Sequence, residues 1–377
     1  MSVYNPAVDS PSMGISTRDP IKVGDWFSEL QSFRRYPITE ILMEDAIVKK
    51  DGAGTVLAFR AADDPGLAKP RESLYSTYTA DKHAKMYRGS MPWRHGRETC
   101  AIDKREKDMN SGDAKVADEA ELELQHMFQR VCDSIEGAGV NVPGLNDSLT
   151  EVGFSYFVCI PSNANGTFCG QLPGGATSGT ISGLDPITAH PKYRNFANLF
   201  TTFSHDDFGL KATNLMHQIA FDTPPKMRPN EEYPKTGPDM GETVSMLRIF
   251  VGDEAADQIQ LMSTVQNDQL GDDVLPMFTG GKIGGVTPTR IPALGGGANE
   301  PTGAAAANSF PFYFVNLSCL YPKFLQNNYF RESGWQPVPM SDMEHYFVAW
   351  SFNWECKSRR RQGAIAKASP FSEAAIQ

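Results

Sequence analysis

Several things are missing from this sequence, and each absence excludes a class. The six cysteines (Cys100, Cys132, Cys159, Cys169, Cys319 and Cys356) never form a C-x-x-C pair, which removes the common zinc and dithiol motifs. No basic-then-apolar leader precedes them, so reduced thiols in a cytosolic protein are expected. There is no H-E-x-x-H and no G-x-S-x-G, and the seven histidines are scattered. Long apolar runs are also missing. The two longest uncharged stretches are 152 to 184, full of Gly, Ser and Asn, and 301 to 322, broken by Pro311, Asn316 and Ser318. Neither offers the twenty or so apolar residues of a membrane span, and a soluble protein is expected. A net charge of -10 argues against a dedicated DNA-binding surface, though it leaves room for a local basic patch.

The composition is that of an ordinary globular protein, 40% hydrophobic and 21% charged. Its 377 residues suffice for two domains or one large domain with insertions. Candidate chemistry is sparse. His205-Asp206-Asp207 is the nearest approach to a metal cluster, and it reads better as a helix N-cap with an acidic first turn. Gly-rich GGKIGG at 280 to 285 lacks the G-x-x-x-x-G-K-[ST] spacing of a phosphate loop. Asn165-Gly-Thr is a glycosylation sequon in letters only. No catalytic residue, cofactor or metal ligand is assigned, and an enzyme with an unrecognised site remains the remote alternative.

The strongest positive feature runs from Met91 to Glu136. Its second half predicts a helix over 113 to 136, with Ser111 or Asp113 capping its start and Gly137 stopping it. Val116, Ala120, Leu124, Met127, Val131 and Ile135 recur at steps of three and four, one apolar stripe on a rod about 36 Å long. Ahead of it, 47 to 62 reads as a hairpin turning at Asp51-Gly52, and 85 to 107 as a second extended segment. A two-stranded ribbon is marginal alone in water and needs a surface to lie on.

Elsewhere, residues 1 to 25 are expected to form an extended arm that ends in an apolar patch including Trp26 and Phe27. The spacing predicts a buried strand over 152 to 160, a loop over 161 to 186, and helices over 204 to 221 and 253 to 266. Strands are expected at 244 to 251, 310 to 317 and 345 to 354, a glycine-rich loop at 279 to 306, and a weak tail after the basic run Arg359-Arg360-Arg361.

Four stretches carry a resemblance: PWRHGRETCAIDKREKDMNSG (92 to 112), VQNDQLGDDV (265 to 274), PKFLQNNYFRESGWQP (322 to 337) and FNWECKSRRRQ (352 to 362). In collinear order they resemble the major capsid proteins of tailed double-stranded-DNA bacteriophages with the Hong Kong 97-type fold, in a podovirus-like branch. The resemblance covers roughly 40 to 365. It implies an α+β fold with an N-terminal arm (1 to 43) and an extended β-hairpin E-loop with flanking strands (44 to 110). The P-domain spine helix would follow (111 to 149), then a mostly A-domain stretch (150 to 340), and last a P-domain return strand with the C-terminal tail (341 to 377).

The implied function is self-assembly into pentamers and hexamers of an icosahedral head around packaged DNA, built in the bacterial cytoplasm and ending in the virion. Implied partners are copies of the chain, a separate scaffolding protein, a portal, a cement or decoration protein, and DNA held non-specifically; no membrane is involved. A cellular nanocompartment shell of the same fold (encapsulin-like) is the alternative.

Charge adds one expectation. Residues 50 to 95 hold eight Lys/Arg against five acids, while 111 to 136 hold seven acids against two bases. Lys69, Arg71, Lys82, Lys85, Arg88 and Arg94 on the ribbon are therefore expected to meet Asp118, Glu119, Glu121 and Glu123 on the spine of the next copy, favouring register. Trp26 and Phe27 are expected at a subunit contact. Arg359, Arg360 and Arg361 are expected to face either DNA or a neighbour.

Overall fold

The computed structural model describes residues 36–44, 47–62, 86–105, 119–140, 149–161, 164–173, 178–221, 232–234, 243–270, 283, 286–291, 294 and 310–368. The strands in chain order are β1 (Lys49–Gly52), β2 (Val56–Ala62), β3 (Met86–Pro92), β4 (Arg94–Asp103), β5 (Asn165–Gly170), β6 (Asn195–Phe200), β7 (Glu232–Pro234), β8 (Thr243–Ser245), β9 (Leu247–Val251), β10 (Thr289–Arg290), β11 (Phe312–Asn316), β12 (Leu320–Leu325), β13 (Arg331–Glu332), β14 (Gln336–Pro337), β15 (Met343–Cys356) and β16 (Gly363–Lys367). The helices are α1 (Pro37–Met43), α2 (Glu119–Val140), α3 (Phe154–Phe157), α4 (Leu210–Phe221) and α5 (Asp253–Leu270).

Twelve of these strands form two six-stranded sheets, while β2 pairs only with β3 and β7 only with β8 among the described strands. The first is built on β15. One edge of this strand pairs antiparallel with β4, from Met343 opposite Asp103 to Phe352 opposite Arg94. The other edge takes β14, β13 and β12 in succession, and β1 adds to β12 in parallel. Alternation holds over the first half of β15, where Tyr346, Val348 and Trp350 are buried and their neighbours only partly so. From Trp350 to Cys356 every residue is buried, as expected where both faces of a strand are covered.

Gly96 lies opposite Trp350, and a Cβ there would run into the indole ring, which also donates to Glu151 Oε1 at 3.1 Å. Gly96→Ala is expected to cost about 1–3 kcal/mol through overpacking. A urea melt of the full-length chain reads this directly, and an unchanged midpoint would refute the packing account.

The second sheet runs β10-β9-β11-β16-β6-β5. It shares a phenylalanine-rich core with α4 and α5, in which Phe196, Phe200, Phe312 and Phe314 meet Phe208, Leu215, Ile219, Ala255 and Ile259. Phe208, Ala212, Leu215 and Ile219 share one buried face, as their spacing predicts. Gly363 on β16 lacks a side chain where Leu215 and Ile219 press closest.

Five expectations are corrected. Asp51-Gly52 is not a hairpin turn: β1 joins β12, and β2 pairs instead with β3. The glycine is needed because the Phe324 carbonyl and the Trp93 ring occupy its Cβ position. Gly137 does not stop α2, which continues to Val140; its start before Glu119, with Ser111, Asp113 and Val116, lies outside the described residues. The apolar run 152 to 160 is buried but holds the short helix α3 rather than a strand, an ambiguity that short apolar runs carry. The predicted loop 161 to 186 contains β5, paired to β6, and β6 itself was not foreseen. The supposed weak tail contains β16, fully buried between β11 and β6. The chain crosses between the sheets late in its course, with β12 to β15 in the first and β16 in the second.

Candidate functional site

The exposed feature with the clearest chemical character is the ribbon of β2 and β3. Its pairs run from Val56 opposite Pro92 to Ala62 opposite Met86. Leu57, Phe59, Ala61 and Met91 turn inward, and the Phe59 ring fills the space left by Gly89. Ser90 N donates to Ser182 O at 2.8 Å, and the Tyr87 and His190 rings meet at 4.1 Å, so the ribbon lies on the body of its own chain. Ala58, Arg60, Arg88 and Ser90 remain exposed. Arg60 stands directly opposite Arg88, and neither forms an ion pair among the described residues. Like charges so placed destabilise a strand pair, by roughly the 0.2–1 kcal/mol that opposite charges there would contribute.

The helix α2 buries Met127, Val131 and Ile135, with Leu124 packed against the same core. Arg130, one of its few cations, is committed to β4, donating to Glu98 Oε1 at 2.8 Å and Thr99 O at 3.2 Å. Glu119 and Glu121 stand in its first turns, Glu123 is half-buried and Asp133 is exposed. Arg94, by contrast, is buried at the start of β4 and offers no exposed charge, which corrects its place among the ribbon contacts. Trp26, Phe27, Lys69, Arg71, Lys82, Lys85 and Asp118 lie outside the described residues.

The Arg359 expectation is corrected as well. Arg359 is 0% exposed. Its Nε donates to Phe157 O at 2.7 Å, Nη1 to Gln171 O at 2.8 Å and Tyr193 O at 2.9 Å, and Nη2 to Asn195 Oδ1 at 3.0 Å and Cys159 Sγ at 3.3 Å. All five guanidinium N–H groups are thus used on internal acceptors. Arg360 and Arg361 are half-buried; the first lies 4.0 Å over the Phe168 ring, and the second approaches Cys319 Sγ at 3.6 Å. The signal that points inward is positional: the run sits between two strongly apolar segments, β15 and β16.

Glu136 was counted among the spine acids, yet it is buried. Its Oε1 accepts from Ile38 N at 2.7 Å and Thr39 N at 2.9 Å, capping α1 from almost a hundred residues away. The only clue in the sequence is negative: Tyr36 before Pro37 supplies no cap of its own.

His205-Asp206-Asp207 is an acidic first turn behind an N-cap, Ser204. Ser204 Oγ accepts from Asp207 N, and Asp207 takes Thr201 N at 2.6 Å, Thr202 N at 3.0 Å and Lys211 Nζ at 2.5 Å. No group of three or more His, Cys, Asp or Glu among the described residues is placed to hold a metal. His95 Nδ1 lies 2.6 Å from Ser351 Oγ, but Ser351 is completely buried and cannot meet a substrate. Burial pushes the Cys132 thiol up to about 11 and the Cys356 thiol up to about 12, far from a thiolate at neutral pH. The groove between α1 and Arg248, Phe250 and Thr289 measures about 20 Å³, well short of the several hundred Å³ of a typical ligand pocket.

No family model and no curated protein matches the sequence. Solved structures do. The chain is similar to the capsid asymmetric unit of cyanophage A-1(L), with 12% identity, 89% of this chain and 93% of that one covered, and a TM-score of 0.53. It is also similar to the capsid of a native GTA particle (10% identity, 86% and 89% covered, TM-score 0.50) and to that of an empty GTA particle (11%, 86% and 89%, TM-score 0.51). At these identities the likeness is one of fold, and it extends over nearly the whole of each chain. No helix among the described residues is long and apolar enough to cross a membrane. A long helix packed on β4, a second sheet with its own helices and a two-stranded ribbon agree with this likeness: the chain has the Hong Kong 97-type capsid fold.

Proposed function

We propose that this chain is the major capsid protein of a tailed phage, assembling through pentamers and hexamers into an icosahedral head around double-stranded DNA. The observation that carries this is the near end-to-end match to a phage capsid protein, covering 89% of this chain and 93% of that one. The first sheet with α2 would form the P domain, the second sheet with α4 and α5 the A domain, and the β2–β3 ribbon the E-loop. A separate scaffolding protein, a portal and a cement protein belong to this reading as partners, with assembly in the host cytoplasm.

In the assembled shell the outward face of the ribbon, with Arg60 and Arg88 and the neighbouring Lys69, Arg71, Lys82 and Lys85, is read as meeting the acidic start of α2 on the next copy (Asp118, Glu119, Glu121 and Glu123). The support is the unrelieved arginine pair on one side and the excess of carboxylates on the other. Trp26 and Phe27 would anchor the arm at a subunit contact.

The experiment is expression of the full-length chain with its scaffolding protein, followed by negative-stain microscopy. Uniform angular shells are expected, and a chain that stays monomeric under all assembly conditions would sink the reading. Native particles carrying genome-length DNA support the phage head, whereas particles filled with a protein cargo would replace it by a nanocompartment shell.

A further inference from the structure

The start of α1 is held by one carboxyl group. A seven-residue helix is far too short to persist alone in water, so α1 depends on what grips it. Its first free donors, Ile38 N and Thr39 N, both go to Glu136 Oε1. Glu136 Oε2 is buried and makes no hydrogen bond among the described residues. Next to it Gly139 leaves the space that Ile38 fills, and a Cβ there would strike the isoleucine. At the far end Tyr329 OH donates to Leu42 O at 3.0 Å. Residues 1 to 35 join the body immediately before this plug.

We propose that Glu136 is a proton-operated latch on the root of the N-terminal arm, closed on α1 when its carboxyl is neutral and released from it when the carboxyl ionises. The neutral group still accepts both N–H bonds through its carbonyl oxygen and leaves only one O–H in the dry contact. The carboxylate leaves a charge buried in that contact, and opening the contact lets water reach it.

The surroundings push the same way. On α2, Asp133 adds negative charge and Cys132 stays a neutral thiol. From α1 come the two N–H groups and the Thr39 hydroxyl, while Glu40, the acid of its first turn, is exposed and Glu44 lies at its other end. Just before α3, Gly153 packs on the Gly139 carbonyl, and within α3 the Ser155 hydroxyl donates to Val140 O at 2.5 Å.

Burial outweighs the hydrogen bonds and lifts Glu136 to about 7. The docked form therefore binds its proton more tightly than the open form. Docking is strongest below the ordinary carboxylate range, and that gain is lost as pH rises through about 7. Between pH 5 and pH 8 the docked-to-open ratio should fall by roughly two orders of magnitude.

Hydrogen exchange on the full-length chain, corrected for the intrinsic pH dependence of exchange, tests this at residues 36 to 44. Protection in the wild type is expected to fall across neutrality. E136Q keeps an accepting oxygen but cannot ionise, and should hold α1 at every pH. E136A leaves both N–H groups uncapped and should expose α1 throughout, with protection of 127 to 135 on α2 checking that the variant is folded. A flat wild-type profile, or E136Q following the wild-type curve, overturns the latch; that comparison stands even if E136A does not fold.

Discussion

Arg359→Ala is expected to destabilise the monomer by about 3–5 kcal/mol, because several buried acceptors lose their charged donor at once. The acceptors left behind come from four places: the end of α3, the Cys159 thiol just after it, the turn after β5, and the entry to β6. Each buried carbonyl stripped of its donor costs about 1–3 kcal/mol. Among the described residues no carboxylate pairs with the guanidinium, and its charge is met by carbonyl, amide and thiol dipoles. Burial holds the Cys159 thiol above its usual range in spite of the downward pull of Arg359, so Cys159 is no counter-ion.

Typical domains hold only about 5–15 kcal/mol in total, so the alanine variant should be near the threshold of folding. Arg359→Lys is expected to recover only part of the loss, because a compact ammonium has three donors and cannot span acceptors arranged around a planar fork. Urea midpoints of the two variants provide the measurement. An alanine variant within about 0.5 kcal/mol of wild type, the range of an ordinary surface change, would rule out the clamp.

The second large effect is on assembly. Reversing Arg60 and Arg88 together to Glu, with Lys82 and Lys85 if needed, is expected to abolish shell formation while leaving the monomer as stable as before. Arg60 and Arg88 already repel each other across the ribbon, so exchanging two cations for two anions leaves that internal term nearly unchanged. Across a subunit boundary the change is not neutral. A cation facing carboxylates becomes an anion facing them, and such like-charge contacts cost several kcal/mol each, repeated at every boundary in the shell. The single reversal R88E is a useful contrast: it creates an opposite-charge cross-strand pair with Arg60, which should firm up the ribbon while still weakening assembly. Sedimentation of assembly reactions, with monomer melts alongside, separates the two effects. Normal shells from the double reversal would show that the arginine pair has no acidic partner in the particle.

Much of the fold was legible because it rests on periodic signals. The spine stripe Met127, Val131 and Ile135, the helix faces built on Phe208 to Ile219 and on Ala255 and Ile259, and the strongly apolar β11 and β15 all show their burial through spacing alone. The candidate site was less legible. The basic and acidic stretches stood out by counting, but nothing local distinguished Arg88, which stays exposed, from Arg94 and Arg359, which turn inward. Short elements failed for a related reason. β5, β6 and β16 are only five or six residues each and are set by partners far away in sequence.

By itself the sequence determined two extended segments followed by a long helix, the sign of charge on each, and the lack of any recognisable catalytic motif. These depend on residue type and short-range spacing, which the chain carries locally. Only the tertiary structure decided that Asp51-Gly52 runs on into a parallel pairing, that Gly139 is a notch for Ile38, that Glu136 caps a helix formed by residues 37 to 43, and that the guanidinium of Arg359 ties the end of α3 to the entry of β6. The physical reason is the same in each case. A buried donor, acceptor or close approach is satisfied by whichever group the fold brings to it, and that group is tens to hundreds of residues away in the chain.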